Sequence, residues 1–208
     1  MPLSEDWERR KAAIAGFYDE LAGRYGTTHR ACGWGGSEGQ RIRFEVLAQV
    51  MPLAGKRVLD VGCGFGDFAD FLRGRHDDLT YEGVDITPRM VLEANRRHPA
   101  LSIRVADILR EDPGGPYDLV TANGIFYVPA EGAEARMREL IARMFELAIE
   151  AVAFTSLSAW APRQEPGEFY ADPLAVLGFC RTLTPWVVLR HDYLAHDFTV
   201  YAYRGTRR

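Results

Sequence analysis

Apolar positions recur along the chain with two periods, and the period changes show where the elements begin and end. Trp7, Ile14, Phe17, Leu21 and Tyr25 are spaced by three, four or seven residues, which predicts a helix over 5–25. The glycine-rich stretch GTTHRACGWGG reads as a loop. Ser37 is the expected N-cap of a helix over 37–50, stopped by Pro52 and Gly55. A repeat of short apolar runs and helical segments follows. RVLDVG, YEGVDI, LSIRVADI, YDLVTANGI and EAVAFTSLS read as strands. DFADFLRGR, PRMVLEANRRH and EARMRELIARMFELA read as the helices between them, with Pro88 suited to a first turn. After the irregular WAPRQEPGEFYADP come a short helix, PLAVLGFCRTL, and two β-rich runs, WVVLRHDYL and DFTVYAYR, forming a hairpin around Ala195 and His196. Strands alternating with helices imply an α/β fold with a mainly parallel sheet covered on both faces. The terminal hairpin adds antiparallel strands.

Composition narrows the class. The chain has 208 residues, 47% hydrophobic and 26% charged, so one ordinary globular domain is expected and disorder is excluded. No run of about 18 apolar residues occurs, and the first residues, MPLSEDWERRKAA, lack the apolar core of a signal peptide. A net charge of −4 gives no basic surface for nucleic acid or an anionic membrane, and neither is expected as a partner. Cys32, Cys63 and Cys180 are far apart and show no metal-ligand spacing, so no metal is expected and the cysteines read as free thiols in a reducing cytoplasm. Arginine outnumbers lysine 23 to 2, the codon bias of a GC-rich, bacterial genome.

The most informative segment is VLDVGCGFG, residues 58–66. A strand ends in Gly62-x-Gly64-x-Gly66 and a helix follows. Glycines there permit a tight turn and let a ligand approach the backbone. The spacing is not the G-x-G-x-x-G of nicotinamide dinucleotide sites, and Asp67 and Asp70 at the helix start disfavour a pyrophosphate and suit a cationic ligand. Asp60 adds negative charge. Asp85 ends the second strand 25 residues after Asp60, where an acid grips a ribose diol. Asp107 ends the third strand and Asn123-Gly124 the fourth, so four successive strands offer polar groups or glycine turns at the end where open α/β sheets bind ligands.

VLDVGCGFG, EGVDI, VADI and YDLVTANGIFYV, in this order, resemble the successive motifs of the class I S-adenosylmethionine (SAM)-dependent methyltransferases over about residues 40–155. The resemblance implies a Rossmann-like sheet of seven strands, the last antiparallel, with SAM as methyl donor and S-adenosylhomocysteine (SAH) as product. It implies that Asp60, Gly62, Cys63, Gly64 and Asp67 surround the methionine part. Asp85 would hold the ribose hydroxyls and Ile86 would pack on adenine. Asp107 would accept from the adenine amino group with Ile108 beside it, and Asn123 and Gly124 would lie near the sulfonium. Asn123-Gly124-Ile125-Phe126 departs from the N/D-P-P-Y/F motif of adenine and amide methylases, which disfavours base methylation.

Other residues carry two readings each. Arg43 falls on the apolar face formed by Ile42, Val46, Leu47 and Val50, where a guanidinium needs a partner. That partner is either the SAM carboxylate or Asp60. Trp34, among four glycines, reads as a lid or binding residue over the cofactor, while Tyr18 reads as helix packing. Among the histidines, His29, His191 and His196 are base candidates, with His196, beside Asp197, taken as the general base; His76 and His98 read as surface residues. Tyr127, Trp160 and Tyr170 are the candidate acceptor pocket. The expected organisation is one domain: a helical lid over 1–36, a cofactor core over 37–155, and a substrate loop and hairpin over 156–208. The expected reaction is methyl transfer to oxygen or nitrogen of a small molecule. A SAM-using enzyme that does not methylate, or a SAM-binding regulator, is the alternative.

Overall fold

The computed structural model describes residues 5–33, 35–128 and 132–206. Helix α1 (Glu5–Tyr25) is followed by a 3-10 turn (His29–Cys32) and α2 (Ser37–Ala48). The alternating region contains β1 (Arg57–Val61), α3 (Asp67–Arg73), β2 (Thr80–Asp85), α4 (Pro88–Arg97), β3 (Ser102–Val105), β4 (Tyr117–Asn123), α5 (Ala133–Leu147) and β5 (Ala148–Leu157). The chain then forms α6 (Pro173–Leu183), β6 (Val187–Arg190) and β7 (Asp197–Tyr203). The seven strands form one sheet in the order β3-β2-β1-β4-β5-β7-β6. Strands β1 to β5 pair in parallel, and β7 runs antiparallel to both β5 and β6.

Alternation along the strands distributes side chains to two cores. Val58, Leu119, Ala151, Ala153, Tyr201 and Tyr203 face α2, α3 and α4. Leu59, Val61, Val120, Ala122, Val152, Phe154, Phe198 and Val200 face α5 and α6. Burial on both faces accounts for the apolar runs at residues 151–154 of β5 and 200–203 of β7. The end of α2 is tied to the sheet by side chains: Tyr201 Oη donates to Val46 O, and Tyr203 Oη donates to Val50 O at 2.9 Å. Val46 O also accepts from Gln49 N at 3.1 Å, and Val50 lies just past the helix, so the two tyrosines fasten the end of α2 and the turn after it to β7.

Three expectations need correction. Gly36, in extended backbone, occupies the N-cap of α2, and Ser37 is its first helical residue. The hairpin connection is six residues, 191–196, longer than a turn at Ala195 and His196, because β6 ends at Arg190. His98 is 8% exposed rather than a surface residue. Its ring fills the space beside Gly66, where a Cβ would lie 2.9 Å from the imidazole.

Phe154 is fully buried at the sheet centre and meets Phe126 edge-on at 5.7 Å. Phe154→Ala is expected to lower unfolding stability by about 3–5 kcal/mol, read as a shifted midpoint in urea with the slope retained.

Candidate active site

The glycine turn after β1 forms because its backbone turns through left-handed conformations, with φ of +72° at Gly62 and +53° at Gly64. A Cβ at Gly62 would lie 2.3 Å from Ile125 Cγ2, so the β4 loop packs directly on bare backbone. Gly62 N and Cys63 N both donate to Val84 O, at 2.8 and 3.1 Å, which locks the turn to β2.

Asp85 completes the lock. Its Oδ2 accepts from Gly64 N at 2.9 Å and its Oδ1 from Thr87 N at 2.8 Å. One buried carboxylate therefore sets both the glycine turn and the entry to α4. Each oxygen retains a lone pair for a ligand hydroxyl. Burial raises the Asp85 pKa, and the backbone N–H groups oppose the rise.

Asp60 lies beneath the turn and is 3% exposed. It accepts from Tyr81 Oη at 2.6 Å and Thr121 Oγ1 at 3.1 Å. Burial pushes its pKa to about 7 despite those donors, and the Asp85 charge adds to the rise. Asp67 and Asp70 do not present uncompensated charge to a ligand. Arg97 lies 2.7 Å from Asp67 and 3.8 Å from Asp70, and Gln40 Nε2 donates to Asp67 at 3.1 Å. Asp107 Oδ1 accepts from Leu109 N at 3.1 Å, rigidifying the turn after β3. Thr155 of β5 donates to Asn123 Oδ1 at 2.7 Å and accepts from Gly124 N at 3.0 Å.

These groups line one cleft along the carboxyl ends of β1, β2 and β4, with about 1360 Å³ of empty space including its mouth. Asp60, Gly62, Cys63, Gly64, Asp67, Asp85, Ile86, Asp107, Ile108, Asn123 and Gly124 all line it. Ile14 and Tyr18 of α1 close one side, and Arg136 and Met137 of α5 another. Tyr18 is thus a wall of the cleft as well as a packing residue. Trp34 falls outside the described residues.

A second cavity adjoins the first. Its lining includes Arg43, Tyr127, Thr155, Ser156, Arg163, Glu165, Glu168, Tyr170, His196 and Asp197, and Cys32 and Gly124 border both cavities. Arg43 does not line the first cleft and is not paired with Asp60. Its Nη2 forms a buried ion pair with Asp197, the first residue of β7. Burial raises the Asp197 carboxyl, and the Arg43 charge opposes it. His196 is half-exposed, with Nε2 at 3.3 Å from Arg43 Nη2 and 3.8 Å from Asp197 Oδ2. Because a guanidinium only donates, Nε2 is the acceptor in this contact and the neutral ring carries its proton on Nδ1. Tyr127 packs edge-on against Phe17 and Tyr18 of α1, and burial raises its pKa to about 12. Its carbonyl accepts from Phe169 N at 2.7 Å, which pins the 156–172 loop.

Trp160 is not part of either cavity. It is 49% exposed and stacks on His191, whose Nε2 lies 2.7 Å from Ser158 Oγ. The sequence reading missed Tyr81, Thr121, Thr155, Cys32 and Glu168. Thr155 had a signal, a hydroxyl in an apolar strand; the others required the tertiary contacts.

The pH dependence of Asp60 follows from its raised pKa. The folded state binds a proton that the unfolded chain releases, so this contribution is present below about pH 4 and is lost as pH rises through about 7. Asp60→Asn should flatten the fall in stability of the unliganded protein between those values, measured by urea unfolding at stepped pH. An unchanged slope would contradict a protonated Asp60.

Among the described residues, no helix is long and apolar enough to cross a membrane, and no group of three or more His, Cys, Asp or Glu side chains is placed to hold a metal ion. Comparison with known proteins agrees with the site. A methyltransferase-domain family model matches residues 58–145. Trans-aconitate 2-methyltransferase of Methylobacterium nodulans is 36% identical over 88 residues, 42% of this chain and 34% of that protein. The chain thus spans about a third of that relative's length. A Mycobacterium tuberculosis protein with a provisional methyltransferase name is 30% identical over 152 residues, covering 68% of this chain and 89% of that one. Among solved structures, the magnesium protoporphyrin IX methyltransferase of Synechocystis with bound SAH aligns with TM-score 0.60 at 19% identity, covering 80% of this chain and 84% of that one. The DhpI–SAH complex aligns with TM-score 0.65 at 17% identity, covering 95% and 98%. With a glycine turn, a buried strand-end acid and a relative covered almost end to end, this chain belongs to the class I SAM-dependent methyltransferases.

Proposed function

We propose that the protein transfers a methyl group from SAM in the first cleft to an oxygen or nitrogen of a small molecule in the second cavity. The observation that carries this reading is the junction: Cys32 and Gly124 border both spaces, so a donor and an acceptor can meet there. SAM supplies a methyl group already activated by a positively charged sulfur. The relatives named above are bacterial, and Cys32, Cys63 and Cys180 are free thiols, which supports assignment to a reducing bacterial cytoplasm.

The cleft residues fit the donor. Bare backbone at Gly62 and Gly64 allows close approach, and Asp85 retains acceptor capacity for a ribose diol. Ile86 and Ile108 supply apolar walls for adenine, and Asp107 an acceptor for its amino group. Asn123 and Gly124, fixed by Thr155, hold the junction in shape. Asp60, Cys63 and Asp67 shape the methionine end, and Trp34 is assigned to the lid above it. Arg43 acts in the second cavity, where it holds Asp197 and fixes the His196 ring.

His196 is the group assigned to take a proton from the acceptor, at Nε2 when the acceptor displaces the 3.3 Å contact to Arg43, with Tyr127 and Tyr170 as walls. A base in this cavity lets proton loss accompany attack when the acceptor is a hydroxyl.

Asp85→Ala should weaken SAH binding at least about tenfold in calorimetric titration, since it removes a charged hydrogen-bonding partner. Gly64→Val should abolish binding, because φ of +53° strains a β-branched residue and its side chain occupies the approach. Equal affinity in Asp85→Ala sinks the cofactor placement. His196→Asn should retain SAH affinity and lower kcat by about 10²–10⁴. An unchanged kcat assigns the proton transfer elsewhere.

A further inference from the structure

We infer that the methyl acceptor enters as a small-molecule amine in its ammonium form, seated on Glu168, and that carboxylic acids are rejected. This rests on the reading of the second cavity as the acceptor site. Two guanidinium groups and three carboxylates line that cavity among the described residues. Both guanidinium groups are committed: Arg43 is buried against Asp197, and Arg163 lies 2.9 Å from Glu165 at the exposed mouth. In the buried part of the cavity an anionic acceptor would have to take Arg43 from Asp197, leaving a buried carboxylate uncompensated; Arg163, with a side chain 84% exposed, offers only a solvated contact at the mouth.

Glu168 differs from the other two carboxylates. Among the described residues no Lys, Arg or His pairs with it, and its Oε2 accepts from Tyr170 Oη at 2.5 Å. That hydrogen bond orients the carboxylate without neutralising it. Tyr170 and Tyr127 line the same cavity, so aromatic side chains share it with an uncompensated negative charge. A carboxylate beside aromatic rings is the chemistry that recognises an ammonium group. The anchored nitrogen and the methylated atom need not be the same.

The test uses the full chain saturated with SAH and a fragment library of matched pairs, each amine beside the carboxylic acid of the same carbon skeleton. Binding is read by ligand-observed NMR, and SAH affinity is measured separately by calorimetry. Amine hits should exceed acid hits about tenfold, as expected for inverting a ligand charge beside a partly buried carboxylate. Glu168→Gln should erase that preference and leave SAH affinity unchanged. Equal hit rates, an excess of acids, an absence of amine hits, or a preference that survives in Glu168→Gln would each overturn the inference. Failure of the wild-type chain to bind SAH would remove the methyltransferase reading itself, and this inference with it.

Discussion

The site depends on one buried carboxylate. Asp85 accepts main-chain hydrogen bonds from the glycine turn after β1 and from the start of α4 after β2. A charge this deeply buried is tolerated only when donors surround it. Satisfying Asp85 therefore fixes the relative positions of two loops from adjacent strands. The space between those loops is the first cleft, so a stability requirement and the shape of that cleft are met by the same two bonds.

A second buried charge sets the other half. Arg43 from α2 pairs with Asp197 at the start of β7, two elements separated by most of the chain. Such pairs are poor sources of net stability but strongly penalise alternative arrangements. Here the pair forms the floor of the cavity beside the cofactor cleft and sets the orientation of His196. It also compensates the buried cation of that cavity within the protein itself.

The junction between the two spaces is built from weaker contacts. Thr155 bridges Asn123 and Gly124 across β4 and β5. Tyr127 reaches α1 on one side and the 156–172 loop on the other. These contacts connect the N-terminal helix, the parallel sheet and the substrate loop at one point, the place where the reacting groups are proposed to meet.

The sequence by itself determined the order of strands and helices, the antiparallel end of the sheet and the strand-end residues from Asp60 to Gly124 that line the first cleft. Those features are local: a strand end, a glycine turn and a following helix lie within a few residues, and hydrophobic periodicity reports them directly. The tertiary structure alone decided pairings between distant segments. The sequence showed that Arg43 needed a partner, but only the antiparallel placement of β7 made that partner Asp197. His98 looked exposed because its neighbours are charged, yet the missing side chain at Gly66 gave it a buried position. Trp160 looked like a pocket wall, but the path of its loop placed it on His191. Side-chain partners across the sheet depend on the register and crossing of elements far apart in the chain, and no local pattern encodes them.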